Sequence, residues 1–432
     1  MKRVIAILSI LFAGACMAQA GLESGRLTLD SCIERALEAN YSIMMKREEL
    51  NRAQSSYLSN LSSFMPSSSA RFSWGRNEQE SFSYSESGLI VSRDHYNAGI
   101  SASQTIFEGG KNLLSTKSAR LSRDITSQSL TENEANLVYS VKNAFFTVIS
   151  AEHTAKNASA ALERIEDQFT LVSERDKLGL ADPTELTQIK VSKAQNQLTL
   201  LQAQNTLQKA VESLAGLLAM PLDTPIGLVD PGIVVAAPGP MEEYIKLALE
   251  NHPQVMQAEM SLQKARLSKL SSWANYLPGI NASYSYSWSN SEMPESFVQF
   301  DDEAKWSVGL SANWNLFSGV SRIASIQSAN SMLRDAENSL LLVKQSIEAS
   351  VRDAYRNLQE ADARIQLSDA RLEDARLNEE LFVEKYGLGD CTLLELLQAE
   401  LSLQQAETEA ISAQFDYNMA ISELLRLSGK ID

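Results

Sequence analysis

The sequence has 432 residues, a formal net charge of −16 at pH 7, and only 19 glycines and 10 prolines. Because phosphate binding requires a basic surface, this acidity argues against nucleic acid as a partner. The length allows two or three ordinary domains, and the scarcity of helix-breaking residues favours long helices.

The first 20 residues have the pattern of a secretory signal peptide. Lys2 and Arg3 precede an apolar run over residues 4–15, and Ala18-Gln19-Ala20 predicts cleavage before Gly21. A second interpretation stays open, because residues 13–16 weakly resemble a lipoprotein cleavage box, which would place a lipid on Cys16. The pattern predicts export.

The rest of the chain offers neither a disulfide framework nor a membrane-spanning helix. Cys32 and Cys391 would remain after cleavage, and they lie far apart in dissimilar segments, which indicates two unpaired thiols. No later segment reaches the ~18–20 apolar residues of a transmembrane helix. If the exported chain enters a membrane, it must do so without helices.

The same motifs occur twice, in the same order. The pairs are ALEANY at 36–41 with ALENHP at 248–253, FMP at 64–66 with YLP at 276–278, IFEG at 106–109 with LFSG at 316–319, and LGLAD at 178–182 with YGLGD at 386–390. The offset drifts only from 212 to 208 residues, which predicts an internal duplication. We expect repeats at 21–218 and 241–432, joined by a proline-rich linker at 219–240.

The sequence of each repeat predicts, in this order, a helix, a β-hairpin, a very long helix, a tight turn and a last helix. The hairpins are predicted at 70–107 and 279–317, the long helices at 110–178 and 319–386, and the last helices at 183–217 and 391–428. Apolar residues in the long helices recur at spacings of three and four, as in a coiled coil. Each would extend on the order of 100 Å at 1.5 Å per residue, so it requires partners along its length.

Four segments alternate apolar and polar residues, which predicts strands. The clearest runs from Trp306 to Leu316, and the others lie near Phe72, from Tyr96 to Ile106 and from Ile280 to Trp288. Polar segments within 77–95 and 290–305 are predicted loops. Packing of any single strand against a helix explains its apolar face equally well. Together, however, the four have the length and alternation of strands in outer-membrane barrels.

Four strands are too few to close a barrel, because known transmembrane barrels begin at about eight strands. An unclosed sheet would leave backbone groups unpaired in hydrocarbon, at a cost of several kcal/mol each. The barrel must therefore be shared, and three copies of the chain would supply twelve strands.

This ordered set resembles the TolC family of outer-membrane efflux channels, over essentially the whole chain after residue 20. The resemblance rests on the duplicated order, on Ala248-Leu249 with His252-Pro253, on FMP and YLP before the hairpins, on Phe317-Ser318-Gly319, and on the glycine-containing tips. It implies an α+β membrane protein: a homotrimer with a shared transmembrane β-barrel, four strands per chain, and a long coiled-coil α-helical barrel in the periplasm.

The resemblance also implies the function. A TolC-like chain would be the passive outer-membrane duct of a tripartite efflux or type I secretion system, in contact with outer-membrane lipid. Its partners would be a periplasmic adaptor (membrane fusion) protein and an inner-membrane transporter, and no cofactor is implied.

The family's periplasmic gate lies at the helix tips, and its positions can be matched here. The resemblance places Thr184 and Glu185 opposite Tyr386, whose hydroxyl would donate to Glu185. Glu395 matches a pore carboxylate, whereas Gln398 replaces a second one and Cys391 replaces an arginine, which removes an ionic lock. An adaptor would cover the apolar tips, and the predicted docking residues are Leu178, Gly179, Leu180, Gly387, Leu388 and Gly389.

Helix capping explains several of these residues without a gate. Asp182 is a typical N-cap, and Glu185 is placed to complete a capping box. Asp390 is a second predicted N-cap, and Gly179 and Gly387 are predicted helix ends. The two interpretations of Glu185 have equal weight at this point.

Two other functional classes fit the sequence less well. A soluble periplasmic coiled-coil structural or adaptor protein would explain the helices but would leave the alternating segments unexplained. An enzyme is disfavoured, because the three histidines have no partner at metal or triad spacing and no glycine-rich phosphate loop occurs.

Overall fold

The computed structural model describes residues 26–85, 88–178, 182–232, 239–290 and 304–429. The predicted signal segment with Cys16, as well as Gly179, Leu180 and most of the second predicted loop, lie outside these residues. The helices are α1 (Leu29–Ala39), α2 (Tyr41–Leu61), α3 (Lys111–Lys177), α4 (Pro183–Leu217), α5 (Met241–Asn251), α6 (Pro253–Ala274), α7 (Ser321–Leu388) and α8 (Leu393–Leu427). None of these described helices combines the length and hydropathy needed to cross a membrane.

The described strands are β1 (Ser67–Ser85), β2 (Gly88–Glu108), β3 (Gly279–Asn290) and β4 (Lys305–Asn313). They form one antiparallel sheet in the order β1-β2-β3-β4, so the hairpin of each repeat pairs with the other through β2 and β3. Within the part of the chain that is described, β1 and β4 are the edge strands, each paired on one side only.

The first hairpin is longer than the sequence analysis predicts. Much of the predicted loop at 77–95 is strand: after an irregularity between Arg76 and Ser81, the ladder resumes and continues to the Ser85–Gly88 pair. The reason is visible in the sequence, since aromatic residues still alternate with serines through Phe82 and Tyr84. The predicted loop was therefore too long, because a polar segment that keeps the period of two can still pair as a strand.

Cross-strand pairing gives the sheet two different faces. Serines meet on one face, where the Oγ atoms of Ser69 and Ser101 are 3.0 Å apart and those of Ser285 and Ser307 are 2.9 Å apart. The other face carries large apolar side chains, and Trp306 and Leu310 are 70% and 75% exposed. Trp288 differs, because it is only 1% exposed. An exposed apolar band of this kind requires a non-aqueous neighbour.

Contacts divide the chain into two compact units. One comprises the described residues of Met1–Lys46, Leu130–Pro253 and Lys344–Asp432, and the other comprises Arg47–Ser129 and Gln254–Val343. Each unit therefore takes segments from both predicted repeats, and the repeats are not separate compact domains.

The core of the first unit joins the start of the chain to the middle of α3 and the ends of α4 and α8. Phe145 is fully buried and meets Phe146 edge-on, with ring centroids 5.8 Å apart. The predicted linker contributes to this core, because Leu228 is 7% exposed and its neighbours bond to Leu27 in a short parallel bridge. The linker therefore packs against the helices over its described part.

The turn between β2 and α3 contains two glycines with positive φ, Gly109 at 62° and Gly110 at 82°. A Cβ on Gly109 would lie 2.5 Å from the carbonyl oxygen of Ala274, whereas a Cβ on Gly110 would meet nothing within 4 Å. We expect Gly110→Ala to cost about 1–2 kcal/mol of stability from backbone strain alone. Gly109→Ala should cost more, because it adds a clash with rigid backbone.

Thermal unfolding of the two purified variants checks this order. Equal losses would show that the contact between the turn and α6 is not made as described.

Candidate gate at the helix tips

The tip of the second repeat is a left-handed turn at Gly389. Asp390 N–H donates to Lys385 O (2.9 Å) and Gly389 N–H donates to Tyr386 O (3.1 Å), which is a Schellman motif. The φ of Gly389 is 80°, a value that favours glycine. The prediction that α7 ends at Gly387 was wrong, since that residue lies within the helix and the reversal occurs two residues later.

The start of α8 also differs from the prediction. Its N-cap is Thr392 and not Asp390, whose N–H is used by the turn. Thr392 N–H and its Oγ1 donate to Glu395 Oε2 at 2.8 and 2.9 Å, while Glu395 N–H donates to Thr392 Oγ1 at 3.3 Å. These bonds from the backbone and side chain of Thr392 hold the pKa of Glu395 below its ordinary value. The matched pore carboxylate is thus part of a capping box.

The start of α4 confirms the predicted N-cap at Asp182. Its carboxylate accepts from Thr184 N–H (2.8 Å) and Thr184 Oγ1 (2.7 Å), which lowers the pKa of Asp182. Glu185 contributes only its backbone N–H, which donates to Asp182 O at 2.9 Å. The side chain of Thr184 is therefore engaged in capping, and the side chain of Glu185 remains available for another role.

Tyr386 and Glu185 lie close together, but they do not bond directly. Tyr386 Oη and Glu185 Oε2 are both buried, and neither has a hydrogen-bond partner among the described residues. Burial raises the pKa of Tyr386, the negative charge of Glu185 raises it further, and Arg175 opposes both. The Arg175 guanidinium lies 5.5 Å from the centroid of the tyrosine ring.

Tyr386 is 4% exposed because four helices surround it. The buried members of this cluster are Ile165 and Val172 on α3, Ile189 on α4, Tyr386 on α7, and Leu393 and Leu396 on α8. Cys391 packs against the cluster, and its Sγ lies 3.6 Å from Phe382 O. Partial burial and the charge of Glu395 raise the pKa of Cys391, so the thiol is neutral at this position where the family pattern has a cation.

The remaining predicted residues lie at the surface of the tip and of α8. Leu178 and Leu388 are 74% and 79% exposed. Gln398 is exposed and lines a groove of about 520 Å³ between α4 and α8, with α3 as its floor. The structure therefore brings Glu185, Tyr386 and Cys391 together and leaves Gln398 apart from them.

The sequence analysis missed a buried polar cluster higher in the same helices. Glu400 on α8 is 7% exposed, and Gln168 Nε2 on α3 donates to its Oε1. Arg164 and Glu407 lie beside this pair, with Arg164 Nη2 4.0 Å from Glu407 Oε2. A signal was present, because Glu400 and Glu407 continue the three-and-four spacing of Leu396 and Leu403.

Among the described residues, no group of three or more His, Cys, Asp or Glu side chains is placed to hold a metal ion. The groove between α4 and α8 is lined mainly by apolar and uncharged side chains.

Comparison with known proteins identifies the family. The model of the family described as outer membrane efflux protein matches residues 32–220 and 244–430. Outer membrane protein TolC of Escherichia coli is 23% identical over 74% of this chain and 66% of its own length. Outer membrane efflux protein BepC of Brucella suis is 19% identical over 100% of this chain and 91% of its own.

The fold agrees with solved structures. A membrane protein from Pseudomonas aeruginosa superimposes with a TM-score of 0.81 at 20% identity, covering 93% of each chain. The two matched segments of the family model correspond to the two predicted repeats, which confirms the duplication. The TolC-like fold class and the outer-membrane location extending into the periplasm are also confirmed. The match to TolC spans just under two thirds of that protein. The chain belongs to the outer membrane efflux protein family.

Proposed function

We propose that three copies of this chain form a passive outer-membrane channel. It serves a tripartite efflux or type I secretion system and conducts substrates from an inner-membrane transporter across the periplasm and outer membrane. The observation that carries this proposal is the four-stranded sheet, which has two edge strands open to further pairing and one exposed apolar face. A soluble coiled-coil protein would have no use for such a sheet.

The two edge strands and the two faces of the sheet both constrain how copies of the chain assemble. Backbone groups along β1 and β4 must be paired if the sheet crosses lipid, and pairing of β4 with β1 of the next copy closes a ring. With three copies the ring has twelve strands, within the range of known barrels. The serine face then lines the lumen, and the face with Trp306 and Leu310 contacts outer-membrane lipid.

The helix tips supply the proposed partner surface. The exposed Leu178 and Leu388 flank the two turns, and a periplasmic adaptor protein would cover them together with Gly179, Leu180, Gly387 and Gly389. The adaptor in turn connects the channel to its inner-membrane transporter.

Outer-membrane fractions test the assembly. We expect a heat-modifiable band of trimer mass, and purified trimers should produce discrete conductance steps in planar lipid bilayers. A chain recovered as a monomer in buffer without detergent would contradict the proposal.

For the gate, we propose that Glu185 and Tyr386 form the closing contact, while Thr184 and Glu395 hold the helix starts. Two buried polar atoms without partners cost free energy, so a hydrogen bond between them would stabilise the closed tip. Cys391 and Gln398 stand where the family pattern has an arginine and an acid, so this pair lacks the ionic support that those two residues would supply.

We expect Tyr386→Phe and Glu185→Gln to raise the open fraction of single channels. A hydrogen bond to a charged group contributes about 1.5–3 kcal/mol, which corresponds to about tenfold or more in the opening equilibrium. If the two residues act on each other, the double variant should open no more than the more effective single variant.

The matched control is Glu384→Gln, which removes an exposed carboxylate from α7 two residues before Tyr386. It should leave opening unchanged. Wild-type behaviour of both gate variants would refute the gate assignment and leave Glu185 without a role at the tip.

A further inference from the structure

A buried acid interrupts the apolar seam between the two repeats. Glu400 on α8 lies about one helical turn from both Leu396 and Leu403, which are 1% and 4% exposed. On α3 the facing row contains Ile165 and Gln168. The seam joins a helix of the first repeat to one of the second, so its packing controls how the two repeats are held together within the first compact unit.

The acid is only partly satisfied by hydrogen bonds. Gln168 Nε2 donates to Glu400 Oε1, but Glu400 Oε2 is buried and has no partner among the described residues. Arg164 is near, yet its Nε and Nη2 also have no hydrogen-bond acceptor in the described chain. A fully ionised carboxylate here would therefore be under-solvated, whereas a neutral carboxyl is tolerated.

Burial and the groups around Glu400 together raise its pKa to about 7. Burial makes the largest contribution, Gln168 and Arg164 on α3 lower the pKa, and Glu379 on α7 raises it. On α8 itself Glu407 lies beside Arg164, and α4 lines the adjacent groove with the uncharged Ser192 and Gln195. The nearby Lys193 on α4 pairs with Glu166 at 3.0 Å.

The duplication shows that the fold does not require this acid. The helices α4 and α8 each have 35 residues, and their N-caps, Asp182 and Thr392, are 210 residues apart. At this offset Glu400 and Glu407 correspond to Lys190 and Gln197. Lys190 is exposed, so the equivalent helix of the first repeat is built without a buried acid at this position.

We propose that Glu400 is a proton-dependent latch between the repeats: its neutral form lets α8 pack tightly against α3, and its ionised form loosens that seam. Loss of the proton places a charge in an apolar seam without full hydrogen bonding, and separation of the helices admits water to it. The effect on helix packing stands alone, whereas any effect on conduction rests on the proposed channel function.

Hydrogen–deuterium exchange of the purified full-length protein tests the latch. Amide protection in residues 161–172 and 393–407 is compared between wild type and Glu400→Gln, at the same pH, from about pH 5 to about pH 8.5. Comparison at equal pH removes the intrinsic pH dependence of exchange. We expect equal protection at the acidic end. As the pH rises from about 5 to about 7, wild-type protection should fall by up to about tenfold per pH unit relative to the variant, and the difference should level off above about pH 7.

Two further variants should move the midpoint in opposite directions. Glu379→Gln removes a neighbouring negative charge. Since Glu379 raises the pKa of Glu400, its removal lowers the midpoint. Since Gln168 lowers the pKa, Gln168→Leu raises the midpoint.

Removing Glu379 makes ionisation of Glu400 easier, so protection is lost at lower pH than in wild type. Removing the donor Gln168 makes ionisation harder, so Gln168→Leu loses protection at higher pH.

The matched control is Glu409→Gln, because Glu409 lies on the same helix, pairs with Arg371 and has a side chain that is 44% exposed. It should follow wild type at every pH. If wild type and Glu400→Gln are protected equally throughout, or if wild-type protection rises with pH relative to the variant, the latch is refuted.

If Glu400→Gln does not fold, the midpoint shifts of Glu379→Gln and Gln168→Leu test the latch instead. Absence of these opposite shifts would overturn the proposal. Hydrogen exchange tests the latch and bilayer conductance tests the channel, so either proposal can fail while the other stands.

Discussion

Phe145→Ala should lower the free energy of unfolding by about 3–5 kcal/mol, which is the usual cost of deleting a fully buried aromatic ring. Phe145 is 0% exposed and packs among residues from α1, α3 and α4, so the cavity cannot be filled by solvent or by a single neighbour. Its edge-on contact with Phe146 is lost as well.

Thermal and denaturant unfolding in detergent micelles measure this loss. Phe145→Leu is the matched control, and it should cost less because it keeps most of the apolar volume. A loss below about 1 kcal/mol for the alanine variant would show that this core is loosely packed.

Wild-type protein should lose stability relative to Glu400→Gln as the pH rises. The pKa of Glu400 is raised from 4.5 to about 7 on folding, so the folded state binds the proton more tightly than the unfolded state. The stabilisation is fully present below about pH 4.5, falls as the pH rises and is lost above about pH 7. The shift corresponds to about 3 kcal/mol at most.

Melting temperatures of the two proteins across this pH range measure the difference. His252 contributes a slope of opposite sign, because burial lowers its pKa and protonation at low pH opposes folding. That contribution is common to both proteins and cancels. A pH-independent difference would mean that Glu400 is hydrated in the folded protein.

The long helices and the duplication could be predicted because their signals are local. The absence of glycine and proline from Lys111 to Leu178 and from Val320 to Tyr386 left few places for a helix to end. The extent of the first hairpin was underestimated, because its outer part depends on pairing with residues of the opposite strand as well as on its own polarity.

At the helix tips, several neighbouring residues are possible N-caps, and the local turn determines which of them caps the helix. Asp182 was predicted as an N-cap and is one, since Pro183 follows it and fixes the first helical position. Asp390 and Thr392 are both acceptable N-caps by residue type. Thr392 caps α8, because the N–H of Asp390 already takes part in the turn at Gly389.

By itself, the sequence determined the repeats, the strands and the helices, because periodicity and helix breakers act over a few residues. Only the tertiary structure decided that Glu400 is buried against Gln168, a residue 232 positions away, and that Tyr386 and Glu185 lie together without bonding. Burial, desolvation and the pKa of a side chain depend on which helices pack around it, and that packing joins segments that no local pattern relates.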